Sequence, residues 1–203
     1  MTYLANSSGE IRLYVLRLTK AFLGFILYPF FRIQVAGLEN IPEKGPFILL
    51  PKHQRWEDIP ILGLAFQQPL YYIAKYELFE RPVSNWLLSS LGGIPLNRER
   101  PLESRQSLKM MIRLLGNGAG VVIFPEGGYY RGKMGPGHVG LIRMIFSRFS
   151  IPFIPVGIKY SKKRWRAPVA IGIGRPFYGN SFKTVNEIKD YTINEIARLS
   201  GFQ

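Results

Sequence analysis

A histidine in a strand-to-helix connection, with an aspartate five residues on, is suited to acid–base chemistry. In Lys52-His53-Gln54-Arg55-Trp56-Glu57-Asp58 the pair follows the apolar run Phe47 to Pro51 and precedes an apolar segment of helical period. Where the four intervening residues turn, the Asp58 carboxylate meets the imidazole, fixes its tautomer and stabilises the imidazolium. His53 is then placed to take a proton from a substrate hydroxyl. Asp58 also suits the N-cap of the helix expected from Ile59-Pro60, and the two roles are compatible.

Other routes are narrower. The chain has no cysteine, which excludes disulfides, thiolate nucleophiles, iron–sulfur clusters and cysteine zinc sites. No Gly-x-Ser-x-Gly elbow is present for a hydrolase triad. The only histidines are His53 and His138, too few for a multi-imidazole metal centre that also spares a base, so no metal is expected. Without a covalent nucleophile, the base has to activate the acceptor itself, giving direct transfer in a ternary complex.

Three further segments carry charge in suggestive places. Gly92-Gly93-Ile-Pro-Leu-Asn97-Arg98-Glu99-Arg100 is a strand whose end delivers Arg98 and Arg100, suited to bidentate phosphate capture, or else a solvated Arg-Glu-Arg loop. The segment Gly120 to Lys133 imitates a nucleotide-phosphate loop, since Gly127, four residues, Gly132 and Lys133 follow a strand. Met134 stands where Mg²⁺ needs Ser or Thr, and Met134-Gly-Pro-Gly137 does not open a helix. Its glycines still allow the backbone to approach an anion, with Glu126, Arg131 and Lys133 nearby. Lys159 to Arg166 is basic with interleaved aromatics, suited to nucleic acid, to an anionic bilayer, or simply to a solvated hairpin.

These residues need a folded frame, and composition supplies one. The 203 residues are 47% hydrophobic and 20% charged, which excludes a disordered chain. Twenty-seven Lys+Arg against 13 Asp+Glu leave a net charge of +14, so a folded surface attracts polyanions: nucleic acid, anionic lipid or a phosphorylated substrate.

Buried strands are expected at Pro46–Pro51, Leu70–Ala74, Gly93–Leu96, Gly120–Pro125, Pro152–Ile158 and Pro168–Ile173. Helical periods lie at Asp58–Phe66, Glu77–Leu91, Leu102–Leu115, Val139–Arg148 and Val185–Leu199. This alternation predicts an α/β fold, a largely parallel central sheet flanked by helices, with ligands at the strand ends.

Ile11 to Phe31 contains no acidic residue, and its uninterrupted apolar run of 11 residues, Ala21–Phe31, falls short of the roughly 20 that cross a bilayer. It reads as an N-terminal membrane-interface helix ended by Pro29, or as a helix buried on the core. The expected division is 1–34, a membrane-associated amphipathic helix, and 35–203, the α/β domain.

Taken in order, His53-x₄-Asp58, Gly93-x₄-Arg98, Phe124-Pro-Glu-Gly127 and Pro152-Phe-Ile-Pro-Val156 resemble the four blocks of the glycerolipid acyltransferase superfamily. Val35 to Pro42 and Ala74 to Phe79 are similar to its connecting sequence, so the resemblance runs from Val35 to Tyr160. It implies transfer of a fatty acyl group from acyl-CoA or acyl-carrier protein to a lysophospholipid hydroxyl, typically of lysophosphatidate, with no cofactor beyond the thioester co-substrate.

On that resemblance His53 is the base and Asp58 its partner, and Gly93 and Arg98 bind phosphate. Glu126 and Gly127 shape the acceptor site, and Pro155 belongs to the fourth block. The implied partners are an anionic membrane surface, the lysolipid and the acyl donor, with no nucleic acid. The implied location is monotopic, on the cytoplasmic face of the cell membrane.

Three departures stand out. Lys52 replaces the usual Asn, Arg55 a small polar residue, and Tyr129 the arginine of the third block, leaving Arg131 or Lys133 as substitutes and another lysolipid or alcohol as the alternative acceptor.

Overall fold

A computed structural model describes residues 10–97, 104–146, 148–161 and 165–202. Among the described residues seven strands form one sheet: β1 (Phe31–Ala36), β2 (Phe47–Pro51), β3 (Leu70–Lys75), β4 (Gly93–Leu96), β5 (Gly120–Val122), β6 (Phe153–Tyr160) and β7 (Ala167–Ile173). Their order is β1-β7-β6-β2-β5-β3-β4, and every pairing is parallel except β6 with β7. The expected largely parallel sheet is therefore present, with a hairpin reversing β7 and, through it, β1.

Strand β2 explains why both faces are covered. All five of its residues are buried, and alternate side chains point to opposite faces. Ile48 and Leu50 join a core with Met111, Leu114, Ile142, Ile145, Ile188 and Ile196, from the helices α4 (Ser104–Gly116), α5 (Val139–Phe146) and α6 (Val185–Ser200). Phe47 and Leu49 join a second core with Leu27, Ile61, Leu62 and Phe66, from α1 (Leu13–Leu27), α2 (Asp58–Ala65) and the residue after α2. The remaining helix, α3 (Pro82–Ser90), opens with its proline in the first turn, where the missing N–H costs nothing.

The chain departs from the sequence reading at its start. Helix α1 stops at Leu27, two residues before Pro29, and the chain then enters β1, which had no place among the expected strands. The period-two alternation was present: Phe31, Ile33 and Val35 are half-buried against the second core while Arg32 and Gln34 face solvent. Because β1 pairs with β7 over Phe31–Ala36, the expected division between residues 34 and 35 falls inside a strand of the common sheet.

Helix α1 lies along that sheet-bearing unit. Val15 and Leu27 are buried, and Lys20 Nζ donates to the Phe66 carbonyl at 2.8 Å. The same helix leaves Leu18, Phe22 and Phe25 exposed, Phe25 at 82%. No helix among the described residues is long and apolar enough to cross a membrane.

Candidate active site

Strands β2, β5 and β6 are adjacent and parallel, so their carboxyl ends open on one edge of the sheet. His53 leaves the end of β2, the Phe124–Lys133 segment follows β5, and Tyr160 ends β6. Crevices at such edges bind ligands in open α/β sheets because the loops there are free to vary while the strands fix their roots.

The histidine and aspartate meet. His53 Nδ1 lies 3.1 Å from Asp58 Oδ2, so the ring's Nε2 is the nitrogen left for a substrate. Asp58 is fully buried at the first position of α2, and its position follows from the donors around it. The backbone N–H groups of Gln54 and Arg55 donate to Oδ2 at 2.5 and 2.8 Å, and the Tyr160 hydroxyl donates to Oδ1 at 2.5 Å. The intervening turn thus wraps around the carboxylate, which satisfies a buried charge and fixes the imidazole at once. Burial and the adjacent Asp58 charge push the Tyr160 phenol far above its ordinary pKa, so it remains a donor.

His53 is 9% exposed, and its ring is held between two aromatics. It stacks on buried Phe124 with centroids 3.8 Å apart, and Tyr129 tilts against its other side at 4.3 Å. Tyr129 therefore occupies the third-block position where the resemblance expects arginine, and it covers the imidazole instead of offering positive charge.

Beneath this layer lies a buried ion pair. Lys52 Nζ donates to both oxygens of Glu126, at 2.8 and 2.7 Å, and to the Tyr130 carbonyl at 2.8 Å. Glu126 also accepts from the backbone N–H of His53 at 2.9 Å and of Gly135 at 2.6 Å. Both carboxylate oxygens are filled from within the protein, so Glu126 ties the β2 and β5 loops together. Burial holds the Lys52 ammonium below the ordinary lysine range, opposed by the hydrogen bond and charge of Glu126 and by the charge of Asp58. Tyr130 N–H to the His53 carbonyl, 2.9 Å, and Gly132 N–H to Gln54 Oε1, 3.1 Å, complete the clasp.

The remaining candidates divide. Gly127, at φ 72°, turns the loop that follows β5 in a left-handed conformation that favours glycine. Arg131 and Lys133 are exposed on the loop beyond it, and the next helix begins only at Val139, as a phosphate loop of the nucleotide type would not allow. Gly93 is not brought to the pair. It begins β4, at the opposite end from the site edge, and a Cβ there would lie 2.9 Å from the Leu88 carbonyl oxygen and the Phe79 ring, so close packing explains the glycine.

Pro155 is buried inside β6 opposite Leu50, short of the strand end. Arg98, Arg100 and the Lys162–Arg164 part of the basic segment lie outside the described residues. The rest of that segment lies at the neighbouring ends of antiparallel β6 and β7, and Arg166 packs 4.0 Å over the Tyr28 ring beyond α1. Lys52 and Tyr160 were absent from the candidates. Their partners stand 74 and 102 residues away, and no local pattern links them.

The acyltransferase family model matches residues 32–159. A chloroplastic 1-acyl-sn-glycerol-3-phosphate acyltransferase of Brassica napus is 30% identical over 174 residues, 80% of this chain and 50% of that protein. The enzyme of the same description from Pseudomonas aeruginosa is 44% identical over 98 residues, 47% of this chain and 37% of its own. This chain thus spans half or less of the length of these two relatives. Among solved structures, the 1-acyl-sn-glycerophosphate (LPA) acyltransferase PlsC from Thermotoga maritima superposes with a TM-score of 0.71 at 28% identity, covering 92% of this chain and 78% of that one. With the family model matching well over half of its length, and with the histidine and aspartate of the first block in contact at the sheet edge, this chain belongs to the acyltransferase family.

Proposed function

We propose that this protein is an O-acyltransferase that moves a fatty acyl group from a thioester, acyl-CoA or acyl-carrier protein, to the free hydroxyl of lysophosphatidate, giving phosphatidate. The observation that carries the reading is the His53–Asp58 contact, with Asp58 saturated by the Gln54, Arg55 and Tyr160 donors. The acceptor oxygen attacks the thioester carbonyl carbon while His53 Nε2 takes its proton. The tetrahedral intermediate collapses, the carbon–sulfur bond breaks, and the imidazolium returns the proton to the leaving thiolate. Asp58 keeps the Nδ1–H tautomer in place and stabilises the imidazolium between these steps.

A second acceptor class is favoured by one observation. Tyr129, against His53, occupies the position of the expected phosphate-binding arginine, which suits a different lysolipid or alcohol headgroup. Association with the membrane as a monotopic protein, on the cytoplasmic face, is supported by the exposed Leu18, Phe22 and Phe25 of α1 beside Arg17 and by the net charge of +14.

Thiol release from acyl-CoA and acyl-carrier protein, with lysophosphatidate or other lysolipids in mixed micelles, tests the reaction. Wild type should release thiol only with an acceptor, and His53→Ala should slow it by about 10²–10⁴-fold in folded protein. Release without an acceptor, or release untouched by His53→Ala, would sink the mechanism.

A further inference from the structure

The positive charge around His53 is distributed unevenly. Lys52 is fully buried and committed to Glu126. On the β5 side of the histidine stands Tyr129, uncharged, with its ring on the imidazole. On the β6 side stands Arg55, in the position where the resemblance expects a small polar residue.

Arg55 is held firmly. Its backbone N–H donates to Asp58 Oδ2 at 2.8 Å, and its guanidinium carbon lies 4.4 Å from the centroid of Tyr160, whose hydroxyl bonds the other oxygen of Asp58. Stacking on a fixed aromatic ring restrains a planar guanidinium and leaves its edge for hydrogen bonding. The Nε atom is shielded from solvent and has no hydrogen-bond partner in the structure. Leaving such a donor unanswered is unfavourable. A restrained guanidinium presents parallel donors, the geometry that suits phosphate.

We propose that Arg55, laid over Tyr160 beside the His53–Asp58 pair, is a phosphate anchor of the acyl-transfer site, supplying from the β6 side the charge that Tyr129 does not supply from the β5 side. The proposal rests on the acyl-transfer reading above. The ligand chemistry is a phosphate, which either the acceptor headgroup or the donor's pantetheine-linked phosphates can provide.

Two matched substrate pairs separate these sources: lysophosphatidate against monoacylglycerol as acceptor, and acyl-CoA against the phosphate-free thioester acyl-N-acetylcysteamine as donor. In Arg55→Gln, KM for the phosphate-bearing member of one pair or both should rise about 10–100-fold, with kcat nearly unchanged and the phosphate-free counterpart unaffected. The pair that responds identifies the source. Arg55→Lys, which keeps the charge and loses the planar fork, should fall between, and it carries the same comparison if Arg55→Gln does not fold.

Equal changes for both members of each pair, or a loss of kcat with all four substrates, would overturn the anchor and leave Arg55 as a prop for Tyr160 and Asp58. Binding of lysophosphatidate and CoA, followed by the fluorescence of neighbouring Trp56, needs no turnover. If wild type transfers no acyl group, phosphate-dependent binding that weakens in Arg55→Gln retires the transfer reading and keeps the anchor. Binding unchanged by the substitution overturns the anchor.

Discussion

At the carboxyl edge of the sheet Lys52, Asp58 and Glu126 are buried, whereas along α1 Leu18, Phe22 and Phe25 are exposed. Each region reverses the ordinary arrangement in which charge meets water and apolar side chains turn inward. At the sheet edge the reversal is compensated internally. Asp58 accepts from His53, Gln54, Arg55 and Tyr160, and Glu126 accepts from Lys52 and from the His53 and Gly135 amides. Along α1 nothing in the described chain covers the rings. A compensated reversal fixes positions for chemistry, while an uncompensated one marks a surface that meets something else.

The contrast breaks most visibly at Lys52. Lys52→Met leaves the Glu126 carboxylate buried without its cation, and urea denaturation should show a loss of about 3–5 kcal/mol. A loss below about 1 kcal/mol would mean that the pair is not what offsets the buried charge. On the other side of the comparison, Phe22→Ser with Phe25→Ser removes exposed rings, so stability should move by less than about 1 kcal/mol. Co-sedimentation with anionic phospholipid vesicles should fall on the order of 100-fold, since each ring contributes roughly 1.5–3 kcal/mol on burial. Unchanged sedimentation would remove α1 from the proposed membrane contact.

The smallest effect sharpens the first region. Tyr160 has its pKa raised in the folded protein by burial and by Asp58. Below pH 10 the phenol is protonated in both folded and unfolded chains and contributes no pH dependence. Above it the unfolded chain loses the proton while the folded one keeps it, so stability falls as pH rises, by at most about 1.4 kcal/mol per unit. Tyr160→Phe should remove that part of the slope between about pH 10 and 11.5. A slope that does not change would mean that Tyr160 does not hold its proton against Asp58.

How far the sequence could be read depended on range. All six expected strands exist, because short apolar runs between turn residues report a buried strand without reference to partners; β2 and β5 are buried at every residue, whereas β3, β4 and β7 keep partly exposed positions. The segment from Glu77 to Leu91, read as one helical stretch, contains a short 3₁₀ turn at Tyr76–Phe79 and then α3, because Pro82 cannot continue a helix begun before it. Strand β1 alternates at Phe31, Ile33 and Val35, but the apolar helix before it masks in the sequence where its own period begins.

His53 and Asp58 could be paired from the sequence because four residues are one turn, and a turn's geometry is local. That spacing, the strand and helix periods, and the lack of cysteine were determined by the chain itself. The Lys52–Glu126 pair, the Tyr160 hydroxyl on Asp58, the Tyr129 ring on the imidazole and the withdrawal of Gly93 into packing were decided by the tertiary structure alone. They depend on β2 lying between β5 and β6 and on β4 running with its glycine end away from the site, an order set by how the strands share two hydrophobic cores. Sheet order is a property of the packed whole, and residues 70 to 100 positions apart meet only once it exists.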